Sequence, residues 1–449
     1  MEIEQLRQRH PRLIYEAYRY QIVDQQLQVS FELLLEPNIR FTPAVTLPIS
    51  GTPTPEELEI FAFHLGLVEL ISYWKCACSP EILIKAGPLS PAQIEWFRDL
   101  FIHGLGEFYF INQIDFRGDD FLRITVDSDR SFAPLPDRPQ VAGTLILVAG
   151  GKDSSVTLEV LKDLPGPKQT FALNPTRSTL DSVTIAGYEP GLVAHRTIDR
   201  QLIELNHQGY LNGHTPFSAY LAFLSSWVAY LHGFKYVVAS NENSANEQNV
   251  IFKDLEINHQ YSKTFRFEQR FRAYAQQYLS PQISYFSVLR PLLDLQIAGI
   301  FSLYKHHHHS FRSCNVNQRQ DSWCCQCPKC AFVYLSLFNF LPYEEMLAIF
   351  GEDLYLKPEI QDHFLGLAEL GGQKPFECVG TVEESRFALA LSGDRYLTLN
   401  QPLPDLIHKV RANTDPIATS LVHQWQEGHN LPPDHEQLLK QALDRVQVY

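Results

Sequence analysis

The chain is short of basic residues. It carries 37 Lys and Arg against 51 Asp and Glu, a formal net charge of −14. A protein that grips duplex DNA or tRNA needs a basic face to displace counterions from phosphates. Nucleic acid is therefore not expected as the main partner. Long apolar runs are missing too. The most apolar stretch, Ala219 to Phe234, is interrupted by Ser225, Ser226 and His232. It is too short and too polar to span a bilayer, so it reads as a buried helix. The start, Met1-Glu-Ile-Glu-Gln-Leu-Arg, has neither the basic residues nor the apolar run of a secretory signal. Cysteine is sparse: eight in 449 residues, five of them between positions 314 and 330. That distribution suits a metal site and not a disulfide framework. A cytoplasmic chain without membrane segments is expected. What is present in quantity, 45% hydrophobic residues, suits a globular protein with a large core. The length suggests two or three domains.

One stretch organises the rest. Leu145 to Val148 is a short apolar run, as expected of a parallel strand buried on both faces. Ala149-Gly150-Gly151-Lys152-Asp153-Ser154-Ser155 follows, and then Val156, Val160, Leu161 and Leu164 at helical spacing. Strand, glycine turn and helix N-terminus together make a phosphate site. The first-turn N–H groups are unpaired and the helix dipole is positive there. Glycines let the backbone approach the anion. The string is not a Walker A loop, because Asp153 follows the lysine, and it is not the Rossmann Gly-x-Gly-x-x-Gly. It resembles the Ser-Gly-Gly-x-Asp-Ser loop of the PP-loop ATP pyrophosphatases, which split ATP into AMP and pyrophosphate. Ala149 stands where the first serine is usual.

Around this loop the chain divides into three. Residues 1–140 read as an α+β domain, with strands at Leu27–Leu33, Ile39–Ile49, Phe108–Ile111 and Leu122–Val126. A helix over Pro53–Tyr73 is announced by Thr54-Pro55-Glu56-Glu57. Cys76 and Cys78 read as buried free thiols, and no chemistry is expected from this domain. The proline-rich stretch Ser131–Gln140 is a plausible linker. Residues 141–340 alternate strand and helix, which implies a mostly parallel sheet. Strands are expected to end at Val148, Leu173, Ile198, Ser240 and Leu289. In such sheets ligands bind beyond the carboxyl ends of the strands. Asn174 and the run Asn241-Glu242-Asn243-Ser244-Ala245 would then share one rim with the glycine loop. Residues 341–449 form a largely helical extension. The whole is an α/β architecture: a parallel core of the PP-loop/HUP type, an α+β N-terminal domain and a helical C-terminal part.

Cys314, Cys324, Cys327 and Cys330 offer four thiolates at zinc-ligand spacing, with Cys325 spare. A site with four thiolate ligands has no open position, so its Zn²⁺ would be structural. The spacing is similar to that of the PP-loop 7-cyano-7-deazaguanine synthases. The histidines His306–His309 just before it receive no catalytic role.

Several stretches taken together resemble the MurL family. They are the 150–154 loop, Gly213-His214-Thr215-Pro216, Asn241–Ala245, Ser313-Cys314-Asn315 with the cysteine cluster, and Lys374-Pro375-Phe376-Glu377-Cys378-Val379-Gly380. The resemblance implies an ATP-dependent epimerase of peptidoglycan synthesis, inverting the terminal L-glutamate of UDP-MurNAc-L-Ala-L-Glu. A Cα–H beside a carboxylate is a very weak acid. Adenylating that carboxylate removes the charge, and pyrophosphate leaves. On this reading Ala149, Gly150, Gly151, Lys152, Asp153, Ser154, Ser155, Asn174 and Asn241 hold ATP. Lys152 neutralises developing charge and Asp153 ligates Mg²⁺. Cys378 leads the candidates for proton transfer, followed by Glu242, His214 and Glu383. A thiolate base needs a lowered pKa, and neighbouring Glu377 and Glu383 would raise it unless they point away. The alternative reading is another carboxylate-adenylating PP-loop enzyme, passing the acyl group to ammonia as the deazaguanine synthases do.

Overall fold

The computed structural model describes residues 2–133, 135–136, 141–413 and 419–448. Most of the expected linker Ser131–Gln140 therefore falls at the edge of, or outside, the described residues. The strands are β1 (Arg12–Val23), β2 (Gln26–Leu35), β3 (Ile39–Phe41), β4 (Ala44–Pro48), β5 (Glu81–Ile84), β6 (Arg123–Val126), β7 (Val141–Leu147), β8 (Lys168–Leu173), β9 (Leu192–Thr197), β10 (Phe234–Ala239), β11 (Val250–Phe252), β12 (Leu255–Ile257) and β13 (Ser284–Ser287). All but β11 and β12, which pair as a separate hairpin, join one sheet of 11 strands. Its order is β13-β10-β7-β8-β9-β4-β2-β1-β5-β6, with β3 beside β2. The five strands from β13 to β9 are parallel to one another. β4 then pairs antiparallel with β9, through Ala44–Thr197 and Thr46–His195. The N-terminal strands thus extend the same sheet as the parallel core.

Chain order decides where a ligand can lie. From β7 the chain goes first to β8 and β9 on one side, and later to β10 and β13 on the other. The crossovers diverge between β7 and β10, which opens a crevice at their carboxyl ends. The glycine loop leaves β7 there, and Asn241-Glu242 leaves β10 beside it.

Period-two alternation sends neighbouring residues to opposite faces. Leu145, Val237 and Tyr285 join the core that contains helices Pro55–Trp74 and Phe217–His232. Ile146, Val238 and Phe286 join the core built from helices Lys152–Val160, Asp294–Ser302 and Pro328–Phe338 and the C-terminal helices. The helix expected over Pro53–Tyr73 spans Pro55–Trp74. Its N-terminus is closed by a Thr54–Glu57 capping box with Pro55 in the first turn.

Two local expectations fail, the first being the single strand over Ile39–Ile49, which is two strands, β3 and β4, both paired with β2. Phe108–Ile111 is not a strand but part of a short helix, Gly106–Ile111. Its aromatics favour a strand in isolation, yet Tyr109 stacks on Phe116 at 4.4 Å and meets Trp74 edge-on. Packing overrides propensity here. β1, which shows no clean alternation, is the longest strand of the sheet. It reverses into β2 through Asp24 and Gln25, both at positive φ, the conformation a two-residue hairpin turn demands.

A buried arginine fixes the rim. Arg290 is fully enclosed and pairs with Glu268 at 3.3 Å. It donates to the backbone carbonyls of Glu242 and Lys263, each at 2.6 Å. Asn430, from the C-terminal region, donates to the other Glu268 oxygen at 2.7 Å. Removing one partner of such a pair leaves an uncompensated buried charge. Arg290→Met is expected to lower the unfolding free energy by about 3–5 kcal/mol in chemical denaturation. A loss below about 1 kcal/mol, the size of an exposed ion pair, would contradict this role.

Candidate active site

The glycine loop is built tightly. Gly150 has φ +81, and a Cβ there would lie 2.6 Å from the backbone nitrogen of Thr179. Packing against the N-terminus of helix Arg177–Ile185 thus accounts for this glycine by itself. Gly151 is extended, but a side chain would meet Ser313 Oγ at 2.9 Å. Ser154 Oγ accepts from Gly150 N at 3.1 Å and donates to Gly151 O at 3.0 Å; Ser155 Oγ donates to Gly151 O at 3.1 Å. The hydroxyls brace the turn from within, while Ala149 is exposed beside it.

Lys152 does not reach out of the loop. Its side chain is 1% exposed and is bound to Asp294 and to Asp153, the latter at 2.5 Å. Burial works against the charged lysine, but the two carboxylates outweigh it and raise its pKa. Asp153 stays partly accessible. Burial alone would raise its pKa, but Lys152, Lys329 and Lys263 hold it below the usual carboxylate range. Glu242, the residue after Asn241, is buried. Desolvation, with Asp294 and Asp153 nearby, raises its pKa although Lys263 opposes this. Asn241 Nδ2 donates to Ser287 Oγ at 3.0 Å and ties β10 to β13. Asn174, at φ +48, exchanges two 3.0 Å hydrogen bonds with the backbone of Arg196. Its side chain therefore serves the β8–β9 junction.

Cys378 reaches the same crevice from the C-terminal part. The segment carrying it is held by Lys329, whose ammonium donates to Cys378 O, and by Asn249, which donates to Pro375 O at 3.0 Å. Its thiol lies against His259 and Lys263. Burial pushes the thiol pKa up. Lys263, the hydrogen bond from His259 and the charge of Lys329 more than reverse this, bringing it down to about 7. The acidic neighbours foreseen from sequence do not govern it. Glu377 binds the Asn315 amide, and Glu383 is exposed in the first turn of helix Val382–Thr398. The buried carboxylate of that turn is Glu384. It accepts from Ser244 Oγ at 2.6 Å and Leu295 N at 2.8 Å, stitching three segments beneath Glu242.

His259 links the thiol to the N-terminal part of the chain. Its Nδ1 lies 2.5 Å from Glu107 Oε2. Burial disfavours the imidazolium, but hydrogen bonds to Cys378 and Glu107 raise its pKa to about 9. His214 packs against it with the rings tilted and their centroids 4.3 Å apart, and its Nδ1 lies 3.6 Å from Glu107. Burial, followed by the charge of His259, drives the pKa of His214 down to about 3, so it is neutral. Glutamate, histidine and thiolate in series are the arrangement that activates and orients a sulfur nucleophile or base. Lys263 interacts with groups from both parts of the site, Cys378 and the pair Glu242 and Asp153. Burial works against its charge, but Cys378, Glu242 and Asp153 outweigh it and raise its pKa.

Sequence reasoning missed His259, Lys263, Lys329, Asp294 and Glu107. Lys329 alone sat in a visible motif, between Cys327 and Cys330. Glu107, from residues 1–140 where no chemistry was expected, lies against His259. It lies on the helix that was expected to be a strand.

The sulfurs of Cys314, Cys324, Cys327 and Cys330 lie within 4.8 Å of one another. Backbone N–H groups of Asn317 and Cys324 point at Cys314 Sγ, at 3.3 and 3.4 Å, and that of Cys330 at Cys327 Sγ, at 3.4 Å. Such bonds stabilise thiolates, so the donor set fits a tetrahedral Zn²⁺. Cys325, at φ +52, turns out of the cluster and donates to Phe350 O.

Comparison with known proteins identifies the family. Residues 4–288 match the family model of the MurL N-terminal domain and residues 310–417 that of the MurL C-terminal domain. The chain belongs to the MurL family. A Salinispora tropica relative is 35% identical over 370 residues, covering 79% of each chain. A Micromonospora relative is 33% identical over 422 residues, covering 90% of this chain and 91% of its own. One from Xanthomonas oryzae pv. oryzae is 34% identical over 337 residues, covering 74% of each. All three are named UDP-N-acetyl-alpha-D-muramoyl-L-alanyl-L-glutamate epimerase. As a family member, this chain is an epimerase, hence an isomerase. Among the described residues, no helix is long and apolar enough to cross a membrane.

The thiol's environment can be measured without turnover. Alkylation of Cys378, followed by mass spectrometry, should rise with pH around a midpoint near 7. His259→Gln removes one of the lowering influences, so the midpoint should move to higher pH. An unmoved midpoint would show that His259 does not tune the sulfur.

Proposed function

We propose that the chain inverts the terminal L-glutamate of UDP-MurNAc-L-Ala-L-Glu, at the expense of ATP, within peptidoglycan synthesis. The family and the names of its relatives support the substrate. The observation that carries the chemistry is a pair of protic groups, both near Lys263, with oppositely displaced pKa values: Cys378, lowered, and Glu242, raised. Environments that push two titratable groups apart mark the base and the acid.

The glutamate α-carboxylate attacks the α-phosphorus of ATP and expels pyrophosphate. The resulting acyl-adenylate no longer carries the negative charge that suppresses Cα–H acidity. The Cys378 thiolate takes the α-proton, and the Lys263 ammonium stabilises the enolate oxygen. Glu242, whose proton affinity burial raises, returns a proton to the opposite face. Water then cleaves the mixed anhydride, releasing AMP and the D-glutamyl product. His259, held by Glu107, maintains the thiolate. Asp153, with its ionised carboxylate in the crevice, is the group suited to a Mg²⁺, which would neutralise charge on the phosphates. Because Lys152 is locked by Asp294, it positions Asp153 in this scheme, and the contact to phosphate falls to the loop backbone and Lys263. The four-cysteine cluster would hold Zn²⁺ as a structural ion, anchoring the segment that carries Lys329.

Incubation with UDP-MurNAc-L-Ala-L-Glu, ATP and Mg²⁺ in D₂O should yield D-glutamate deuterated at Cα, with AMP and pyrophosphate formed. Inversion without AMP would eliminate the adenylate; AMP without inversion would eliminate the epimerisation. Cys378→Ser should lower kcat roughly 100-fold or more, the range for loss of a general base. Asp153→Asn should abolish AMP formation as well, and wild-type rates in that variant would refute the Mg²⁺ assignment. For the native enzyme kcat/KM should fall as pH drops through about 7, where Cys378 takes up its proton.

A further inference from the structure

The run His306–His309 is a structured element of the fold. It divides into two pairs that face different carboxylates. His308 and His309 turn to Glu345, at 3.1 and 3.3 Å, and His308 Nε2 also contacts Phe301 O. His306 and His307 turn the other way. Their Nε2 atoms converge on a single oxygen of Glu159, at 2.8 and 2.9 Å. One ligand atom from each of the three lies within 4.8 Å of the others. Glu159 is 6% exposed, His307 is fully enclosed, and His306 is open to solvent at 49%. The set is therefore rigid on two sides and has an entry path on the third.

We infer that Glu159, His306 and His307 form a second metal site, for a borderline divalent cation such as Zn²⁺. Two imidazoles and one carboxylate are a standard nitrogen–oxygen donor set for that ion, with water completing the tetrahedron. Without metal, each Nε2–H donates to the shared oxygen; on metal binding each neutral ring carries its proton on Nδ1 and offers the Nε2 lone pair to the cation. The site's place in the fold gives it a consequence. Glu159 lies in the last turn of helix Lys152–Val160, at the end opposite the glycine loop. The histidine segment runs on to Arg312, whose N–H donates to Gly150 O at 2.9 Å, and to Ser313, which abuts Gly151. A metal here clamps the far end of the loop helix to the same segment that touches its near end.

The test is stoichiometry in the full-length, untagged protein, stripped with chelator and titrated with Zn²⁺ against a chromophoric competitor. Wild type should bind one equivalent more than His306→Ala, whose side chain is exposed and whose loss leaves the core intact. Glu159→Gln should lose the same equivalent. His309→Ala should keep it, which separates a built site from adventitious binding by a histidine run. Equal binding by wild type and His306→Ala would overturn the proposal, and so would equal losses in His306→Ala and His309→Ala. The readout is metal bound, so it stands apart from the catalytic scheme.

Discussion

The ammonium of Lys263 is the charge on which the site's electrostatics rest. Asp153, Glu242 and the Cys378 thiol all lie within its influence. A cation beside acidic groups favours the ionised form of each. Lys263 adds to Lys152 and Lys329 in holding Asp153 low and leads the influences that lower Cys378, while Glu242, desolvated and near Asp294, remains shifted upward. The position of Lys263 is set from below by Arg290, which grips the carbonyls of Lys263 and Glu242 together. Arg290 is balanced by Glu268, and Glu268 by Asn430. The crevice thus inherits its geometry from a buried ion pair.

The distribution of the site over the chain explains why the N-terminal strands are continuous with the parallel core. Glu107 comes from the N-terminal part, Asp153 and Glu242 from the sheet, Cys378 from the C-terminal extension. A flexible tether between such pieces would not hold His259 2.5 Å from Glu107 and against Cys378 at the same time. The β4–β9 pairing and the hydrogen bonds of Asn249 and Lys329 to the Cys378 segment make the three parts one rigid surround. Preorganisation of this kind lowers the cost of aligning charges at the moment of proton transfer.

Glycine, in this fold, serves two purposes at once. Gly150 is required by the approach of the Arg177–Ile185 helix, whatever the loop binds. The motif therefore marks a crowded strand-to-helix junction as much as a phosphate cradle. The lysine within it is turned inward to Asp294, so its likeness to a phosphate-binding lysine ends at the letter.

Features that depend on neighbours in sequence were legible in the sequence. The strand-turn-helix at 145–156, the capped helix after Thr54 and the cysteine spacing of the 314–330 cluster each follow from local dihedral preferences, periodicity or ligand spacing. Cys378 and Glu242 stood out for the same reason, as chemistry-bearing residues in unusual local company. What tertiary structure alone decided is the protonation each one adopts. Coulombic influence falls with distance in space and not along the chain. The cations that tune Cys378 come from a hairpin exit and from inside the cysteine cluster, while the carboxylates beside it in sequence bind elsewhere or face solvent. No pattern within one segment encodes that exchange of partners; only the folded sheet brings them together.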